Sequence, residues 1–276
     1  MGTQKNHWSI DANRNWIHST ALVADDIHIG HDNLIGPFSV VGGMGCPVSL
    51  GNYNYIGANC VLGSLPENVR DLPGSAMMRI QQGDVLNNFI EFQGGLTIGS
   101  MVVIRDLVTI HGGMRQSTRV ADLVYIHSRC HLDHDAVAEV GASLAPGVTT
   151  GGRVSFGAFS QAGLESSLHQ DTEVGAFSMI GMNSTVKGTV LPFSLHFGSP
   201  SRFRGLNMVR LKRLGLGDSQ IEEIEGLIRT DSLSRNQVRL EEIVMDLTAK
   251  STSEARMAWT RWLNEVFNSF DPNTKG

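Results

Sequence analysis

Aliphatic side chains recur at every sixth position along most of this chain. The hexad positions form several runs, which are Ile17, Val23, Ile29, Ile35 and Val41; Leu50, Ile56 and Leu62; Ile98, Ile104 and Ile110; and Val120 onward to Val186. A period of six fits neither an α-helix nor a simple alternating strand, but it fits a short strand followed by a corner. Small residues such as Ala24, Gly30 and Gly36 often follow the aliphatic one, as crowded corners require.

The run from Val120 to Val186 keeps its phase over twelve hexads, and Thr150 is its one polar member. Hexapeptide repeats of this kind build β-helices, in which each hexad forms one flat side with its aliphatic residue pointing inward. As a rule of this architecture, three sides make one coil of eighteen residues. We therefore expect Leu132, Thr150 and Leu168 to lie above one another on one face.

Two segments interrupt the repeat, residues 64–95 and residues 112–119. Loops inserted into a rigid solenoid commonly carry function, and a tolerated surface excursion is the other interpretation.

From Leu206 the apolar spacing becomes helical. Asp218 or Ser219 is the expected N-cap of a helix over DSQIEEIEGLIRT, and further helices are expected over LSRNQVRLEEIVMDLTAK and SEARMAWTRWLNEVF. The predicted fold class is therefore an all-β solenoid plus α: a β-helix domain over 1–204, in which 192–204 is a connector, and a helical domain over 205–276.

Composition narrows the classes of function. The 276 residues include 31 glycines and 8 prolines, which suits a regular set of tight corners, and 41% are hydrophobic and 18% charged. A net charge of -5 gives no electrostatic reason to expect a nucleic acid partner. No apolar run is long enough for a transmembrane segment, and the N-terminus lacks a secretory signal. The unclustered Cys46, Cys60 and Cys130 predict a reducing cytoplasm without a disulfide framework.

The segment HSRCHLDHD places His127, His131, His134 and Asp135 within nine residues. His134 and Asp135 fall in the exposed corner half of their hexad, and a corner histidine beside a carboxylate suits a general base. The residues alone leave open whether Asp133 or Asp135 orients it. Zinc bound by imidazoles of adjacent coils is one alternative, although the spacing is irregular, and surface histidines in a polar corner are another.

Five motifs make the likeness to a known family specific. They are IGPFSVVG, VTIHGG at 108–113, HLDHD at 131–135, His169 with Gln170, and GLNMVRLKRLGL at 205–216. In these motifs, over nearly the whole chain, it resembles the UDP-N-acetylglucosamine O-acyltransferase family, which performs the first acylation of lipid A synthesis. The resemblance implies a left-handed parallel β-helix, a C-terminal helical domain, and a homotrimer with its clefts between neighbouring β-helices.

The same resemblance implies roles for individual residues. His134 matches the catalytic base, Asp135 its acidic neighbour, and Gly152 the glycine whose backbone N–H faces the thioester oxyanion. The residues that match the lining of the acceptor and acyl-chain cleft are His111, His131, His169 and Gln170. Asn207 and Arg213 match residues that contact the donor's pantetheine or the sugar nucleotide's phosphate, and an ordinary helix surface is the alternative for both.

The chain also departs from the family pattern, at positions that belong to the substrate pocket. Arg153 replaces an expected histidine after the oxyanion glycine, and we assign it to substrate binding. Val209 stands where an acidic residue is expected, and residues 64–79 contain no recognisable acceptor-binding motif. These departures concern the identity of the acceptor more than the reaction.

The activity implied is transfer of a (3-hydroxy)acyl group from an acyl carrier protein thioester to a hydroxyl of a nucleotide-linked sugar, with no metal or redox cofactor. A basic cluster suits an acidic carrier protein or the phosphates of coenzyme A or a sugar nucleotide; its members are Arg202, Arg204, Arg210, Lys212 and Arg213. The main alternative is N-acyl transfer from acyl-coenzyme A to a nucleotide-linked amino sugar. A non-catalytic scaffold and a carbonic-anhydrase-like metal enzyme are the others.

Overall fold

The structure, a computed structural model, describes residues 7–43, 46–66, 94–229 and 233–270. The chain divides into two compact units, Met1–Asn207 and Met208–Gly276. The sequence pattern placed this division at residue 204. Most of the predicted interruption at 64–95 lies outside the described residues.

The described residues of the first unit form 27 short strands in three sheets. Sheet A comprises β1 (Trp8–Ile10), β2 (Trp16–His18), β5 (Leu34–Ile35), β8 (Tyr55–Ile56), β11 (Val103–Ile104), β14 (Tyr125–Ile126), β17 (Ser143–Leu144), β20 (Gln161–Ala162), β23 (Met179–Ile180), β26 (Ser194–Phe197) and β27 (Arg202–Leu206). Sheet B comprises β3 (Leu22–Val23), β6 (Val40–Val41), β9 (Val61–Ser64), β12 (Thr109–His111), β15 (His131–Leu132), β18 (Thr149–Thr150), β21 (Ser167–Leu168) and β24 (Thr185–Val186). Sheet C comprises β4 (His28–Ile29), β7 (Val48–Leu50), β10 (Leu96–Ile98), β13 (Thr118–Val120), β16 (Val137–Ala138), β19 (Ser155–Phe156), β22 (Glu173–Val174) and β25 (Thr189–Val190).

The hexad residues form the core between the three sheets. From Ile35 onward the aliphatic members are buried, while Ile17, Val23 and Ile29 are partly buried against them. In sheet B the inward column consists of Val41, Leu62, Ile110, Leu132, Thr150, Leu168 and Val186. The predicted stacking of residues one coil apart is therefore confirmed.

Most corners of the coils contain a residue with left-handed backbone geometry, and many of these residues are not glycine. In the corners from sheet B to sheet C they are Asp135 (φ 59°), Arg153 (φ 61°) and Asp171 (φ 62°). In the corners from sheet C to sheet A they include Phe159 (φ 54°), Phe177 (φ 57°) and Phe193 (φ 58°). Because this conformation is unfavourable for residues with a side chain, bonds between coils must hold it. The Arg153 N–H donates to the His134 carbonyl at 2.8 Å, for example.

Sheet A is the one sheet with antiparallel pairs in the described part of the chain. Strand β1 runs antiparallel to β2 at the start, and β27 runs antiparallel to β26 at the end. The prediction of a plain connector over 192–204 is therefore wrong, because β26 and the start of β27 occupy it and extend the ladder of sheet A.

The second unit is helical and comprises α1 (Met208–Arg213), α2 (Asp218–Arg229) and α3 (Leu233–Phe270). The predicted N-cap at Asp218 or Ser219 is wrong by at least one residue. The Gly217 carbonyl accepts the N–H groups of Gln220 and Ile221 at 3.1 Å, and Gln220 Oε1 accepts the Gly217 N–H at 3.1 Å. This reciprocal arrangement places the cap at Gly217.

The two helices expected after residue 232 are one helix of 38 residues, α3. It contains no glycine or proline that would end it between the two predicted segments. Arg239 of α3 bonds Glu223 of α2 at 2.8 Å. No helix in the described ranges combines the length and apolar character that a membrane crossing needs.

Candidate active site

The chemistry-bearing residues of four successive coils meet at the corners that follow sheet B. Strand β12 ends at His111, and β15 leads from His131 into the Asp133–Asp135 corner. Strands β18 and β21 lead into the next two corners. Because the strands pair in parallel and in register, these corners lie in one column. The predicted site residues in the column are His111, His131, His134, Asp135, Gly152, Arg153, His169 and Gln170.

His134 and Asp135 form a hydrogen-bonded pair. Nδ1 of His134 lies 2.8 Å from Oδ2 of Asp135. Asp135 therefore orients the imidazole, which the sequence alone left undecided between two carboxylates. The predicted exposure of this corner is wrong, because only 12% of the His134 side chain and 1% of the Asp135 side chain are exposed. Residues 114–116, from the preceding coil, bond the Asp135 carboxylate and enclose it.

The second oxygen of Asp135 is held entirely by backbone. Its Oδ1 accepts the N–H groups of Met114 at 3.0 Å, Arg115 at 2.9 Å and Gln116 at 2.9 Å. Burial on its own would raise the pKa of Asp135, but the bonds from Gln116, His134 and Arg115 bring that pKa below its usual value. The carboxylate thus stays charged and keeps Nδ1 of the imidazole occupied, so Nε2 is the nitrogen that can take a substrate proton.

Gly152 leaves room for the imidazole ring. A Cβ at this position would lie 2.5 Å from both Cε1 and Nε2 of His134, so only glycine allows the ring to lie there. No acceptor among the described residues receives the Gly152 N–H, whereas the Gly152 carbonyl accepts the Asp171 N–H at 3.0 Å. The site therefore places a basic nitrogen beside a backbone donor that can serve a ligand.

A second group of polar side chains surrounds Asp133. Oδ1 of Asp133 lies 3.0 Å from Nδ1 of His111 and accepts the His134 N–H at 2.7 Å. Burial opposes the charge of Asp133, yet the bonds from His111 and His134 lower its pKa below the usual value. Nδ1 of His131 lies 2.7 Å from Oγ1 of Thr109. Ligand atoms of His111, His131 and Asp133 lie within 4.8 Å of one another, so these three residues could hold a metal ion.

Arg153 makes a two-pronged ion pair with Asp171, a residue that sequence reasoning missed. The Nε and Nη2 groups of Arg153 donate to the two carboxylate oxygens at 2.5 and 3.0 Å. This bond to Arg153 is the main cause that lowers the pKa of Asp171. The signal in the sequence was the eighteen-residue spacing between the two residues.

His169 is exposed and lies one coil beyond Gly151. Its Nδ1 bonds the Gln170 carbonyl at 3.0 Å.

Asn207 and Arg213 lie outside this column. The buried Asn207 donates from Nδ2 to the Phe177 carbonyl at 3.0 Å and from its backbone N–H to the Phe193 carbonyl at 2.6 Å. The structure thus gives Asn207 a structural bond at the end of the β-helix. Arg213 is exposed in the last turn of α1, and burial together with the charge of Arg213 lowers the pKa of Arg210.

Comparisons with known proteins agree with this architecture. The family model "Udp N-acetylglucosamine O-acyltransferase; Domain 2" matches residues 190–266. The acyl-[acyl-carrier-protein]--UDP-N-acetylglucosamine O-acyltransferase of Xylella fastidiosa is 32% identical over 225 residues, which cover 78% of this chain and 82% of that protein. The protein of the same name from Gloeothece citriformis is 25% identical over 209 residues, or 75% and 68% of the two chains.

Two solved structures show the same fold. LpxA from Acinetobacter baumannii has a TM-score of 0.60 and 22% identity, and the match covers 87% of this chain and 93% of that one. LpxA from Bacteroides fragilis has a TM-score of 0.63 and 20% identity, with coverage of 86% and 91%. The predicted left-handed parallel β-helix with C-terminal helices is confirmed.

Proposed function

Because this chain belongs to the UDP-N-acetylglucosamine O-acyltransferase family, we propose that it transfers an acyl group from acyl carrier protein to a hydroxyl of UDP-N-acetylglucosamine. The observation that carries the proposal is the His134 imidazole lying over Gly152, with Nδ1 engaged by Asp135. The acyl group is a 3-hydroxyacyl chain, and the reaction is the first acylation of lipid A, and so of lipopolysaccharide, biosynthesis.

The mechanism uses the two groups at the centre of the column. Nε2 of His134 removes the proton of the acceptor hydroxyl as its oxygen attacks the thioester carbonyl carbon. The Gly152 N–H donates to the oxyanion of the tetrahedral intermediate. As the carbon–sulfur bond breaks, the imidazolium returns its proton to the leaving thiolate. Asp135 keeps Nδ1 protonated and stabilises the imidazolium throughout.

The residues around the pair are proposed to bind the substrates. His111, His131, His169 and Gln170 line the acceptor and acyl-chain cleft. Arg153 contacts the anionic sugar nucleotide, because its guanidinium follows the oxyanion glycine directly and has a planar donor fork suited to phosphate. For Asn207 and Arg213 we retain a contact with the donor's pantetheine or the nucleotide's phosphate; the exposed, basic end of α1 supports it for Arg213.

A homotrimer is proposed as the functional assembly. Outward residues of sheet B form one register column in which the first members are apolar, namely Leu22, Val40 and Val61, and the next are Thr109 and His131. Leu22 is 67% exposed. A neighbouring β-helix that covers this column would border His131 and complete a cleft beside the His134–Asp135 pair. Leu22→Asp should therefore shift the molecular mass by light scattering toward the monomer, whereas Ile10→Asp, at an exposed residue of sheet A, should leave it unchanged.

The proposed reaction uses no metal or redox cofactor, and we propose that it takes place in the cytoplasm. The described thiols Cys46, Cys60 and Cys130 are free and buried, as suits a reducing compartment. Activity should survive dialysis against a chelator. Its loss, with recovery on adding Zn²⁺, would instead assign His111, His131 and Asp133 to a metal enzyme.

The test is an assay of the purified protein with 3-hydroxyacyl carrier protein and UDP-N-acetylglucosamine. Ester formation is expected, and it should fall by about 10²- to 10⁴-fold in His134→Ala. A parallel reaction contains acyl-coenzyme A and a nucleotide-linked amino sugar. Amide formation in that arm alone, or equal activity of His134→Ala, would overturn the proposal.

A further inference from the structure

Residues 112–117, called the insertion below, form a corner that is four residues longer than the equivalent corner of the next coil. Thr109 pairs with His131 and Arg119 pairs with Val137 across adjacent coils. The chain takes ten steps from Thr109 to Arg119 but six from His131 to Val137, so four residues are added. The corner with the added residues directly precedes, in the stack, the corner that carries His134 and Asp135.

The inserted backbone donates to the carboxylate of the next coil. Three consecutive N–H groups, those of Met114, Arg115 and Gln116, point at Oδ1 of Asp135. Oδ2 of the same carboxylate bonds Nδ1 of His134. Thr118, directly after the insertion, accepts the Asp135 N–H through Oγ1 at 2.9 Å. Both oxygens and the backbone N–H of Asp135 are thereby fixed.

The insertion is tied to the coil below and is not a loose surface loop. The Gly112 N–H donates to the Ser64 carbonyl at 2.8 Å, and the Gly113 N–H donates to the Gly95 carbonyl at 3.0 Å. A Cβ on Gly113 would overlap the Gln116 carbonyl oxygen, so the tight turn requires glycine there. The geometry of the three donors is therefore built into the fold.

We propose that residues 112–117 are a positioning element for the catalytic pair, in which the N–H groups of residues 114–116 hold the Asp135 carboxylate so that His134 presents Nε2 toward Gly152. A concave run of backbone N–H groups binds an anion without a competing positive charge. A lysine or arginine in that place would draw the carboxylate away from the imidazole, whereas the backbone donors leave Oδ2 available to it. The inference rests on the proposed function, since it assigns a role in that reaction.

The test compares two substitutions at one exposed position. Gln116→Pro removes the N–H that donates to Oδ1 of Asp135. Gln116→Ala keeps that N–H and removes the side chain, whose Nε2 makes only a long 3.5 Å bond to the Asp135 carbonyl and none to the carboxylate. Gln116→Pro should lower kcat between about 10-fold and about 100-fold with KM within about twofold of wild type. Gln116→Ala should keep kcat within about twofold. Gly113→Ala is the second variant, since its Cβ displaces the Gln116 carbonyl, and it should behave like Gln116→Pro.

A second readout does not depend on turnover. ¹⁵N-histidine spectra, with the His134 signals assigned by His134→Asn, should show one Nδ1–H tautomer in wild type and Gln116→Ala, and a mixture in Gln116→Pro and Gly113→Ala. Unchanged spectra and kcat in both of these variants, with melting temperatures near wild type, would overturn the positioning role. The two proposals can also fail separately. If the wild type shows no acyl transfer but Gln116→Pro and Gly113→Ala still show mixed His134 tautomers, the positioning role stands and the proposed reaction is refuted.

Discussion

Two columns of left-handed corner residues run along the same β-helix and have opposite character. The column from sheet C to sheet A holds Phe159, Phe177 and Phe193, whose rings stack with centroids 5.6 and 5.4 Å apart and with nearly parallel planes. The column from sheet B to sheet C holds Asp135, Arg153 and Asp171. The backbone is alike in both, since every one of these residues has a φ near +60°. Neighbours in each column lie eighteen positions apart, except that Phe193 follows Phe177 by sixteen.

The difference shows that the coil determines where the corner residues stack, whereas the type of side chain determines how they interact. Phenyl rings brought together by the coil exclude water and add dispersion contacts. In the other column Arg153 and Asp171 pair with each other and remain partly accessible, whereas Asp135 is buried and bonds His134. The same corner geometry thus produces a stabilising aromatic stack between sheets C and A and the candidate active site between sheets B and C.

Breaking the aromatic column should have the largest effect on stability. Phe177→Ala removes a fully buried ring between two others and should cost about 3–5 kcal/mol, which lowers the melting temperature by roughly 6–20 °C. Calorimetry measures the change. Phe38→Ala is the matched control, because Phe38 also has a left-handed φ but an exposed ring, and it should cost well under half as much. Equal losses in the two variants would show that the column itself contributes nothing.

Adding a side chain at Gly152, beside the column that holds Asp135, Arg153 and Asp171, should lower kcat. Gly152→Ala places a Cβ against the His134 ring and should lower kcat about 100-fold, or about 2.7 kcal/mol in the barrier. Gly181→Ala provides the control, because its Cβ would meet the Phe197 ring far along the chain from the catalytic corner. Steady-state kinetics should show near-normal kcat for Gly181→Ala; a normal kcat for Gly152→Ala would remove that glycine from the mechanism.

The charge of Asp135 should make stability depend on pH. Its pKa is lowered in the folded protein, so its contribution is complete above the unfolded pKa of about 3.9 and is lost as pH falls through the lower folded value. Asp135→Asn should therefore be less stable by about 1–2 kcal/mol at pH 7, and the difference should shrink as pH falls below the unfolded pKa and through the lower folded pKa. Denaturant unfolding over a series of pH values measures it. A difference for Asp135→Asn that stays constant as the pH is lowered would contradict the assignment.

The smallest effect is expected at the exposed end of the polar column. Arg153→Gln should raise KM for the sugar nucleotide about two- to fivefold, because the phosphate loses its guanidinium. Asp171→Asn should lower KM by a similar or smaller factor, since it removes a competing carboxylate. Both should keep the wild-type melting temperature. Opposite shifts in KM would place Arg153 on the substrate, and identical shifts would indicate a structural pair.

The sequence predicted the fold in unusual detail because the hexad pattern encodes the inward column directly. Motifs with fixed spacing identified His134, Asp135 and Gly152 through the family resemblance. The N–H groups of residues 114–116 escaped prediction because every residue type except proline carries one, so nothing in the letters marks a donor. The choice between Asp133 and Asp135 escaped it as well, since it depends on side-chain rotamers and on a corner from the coil before.

The terminal strands of sheet A oppose end-to-end polymerisation of the β-helix. A solenoid made of parallel coils exposes, at each end, strand edges on which another copy could continue the same ladder. Here the terminal strands β1 and β27 run against the direction of the others. A second molecule stacked on either end would meet a reversed strand in one of its three walls, so coil-on-coil polymerisation would be out of register from its first contact.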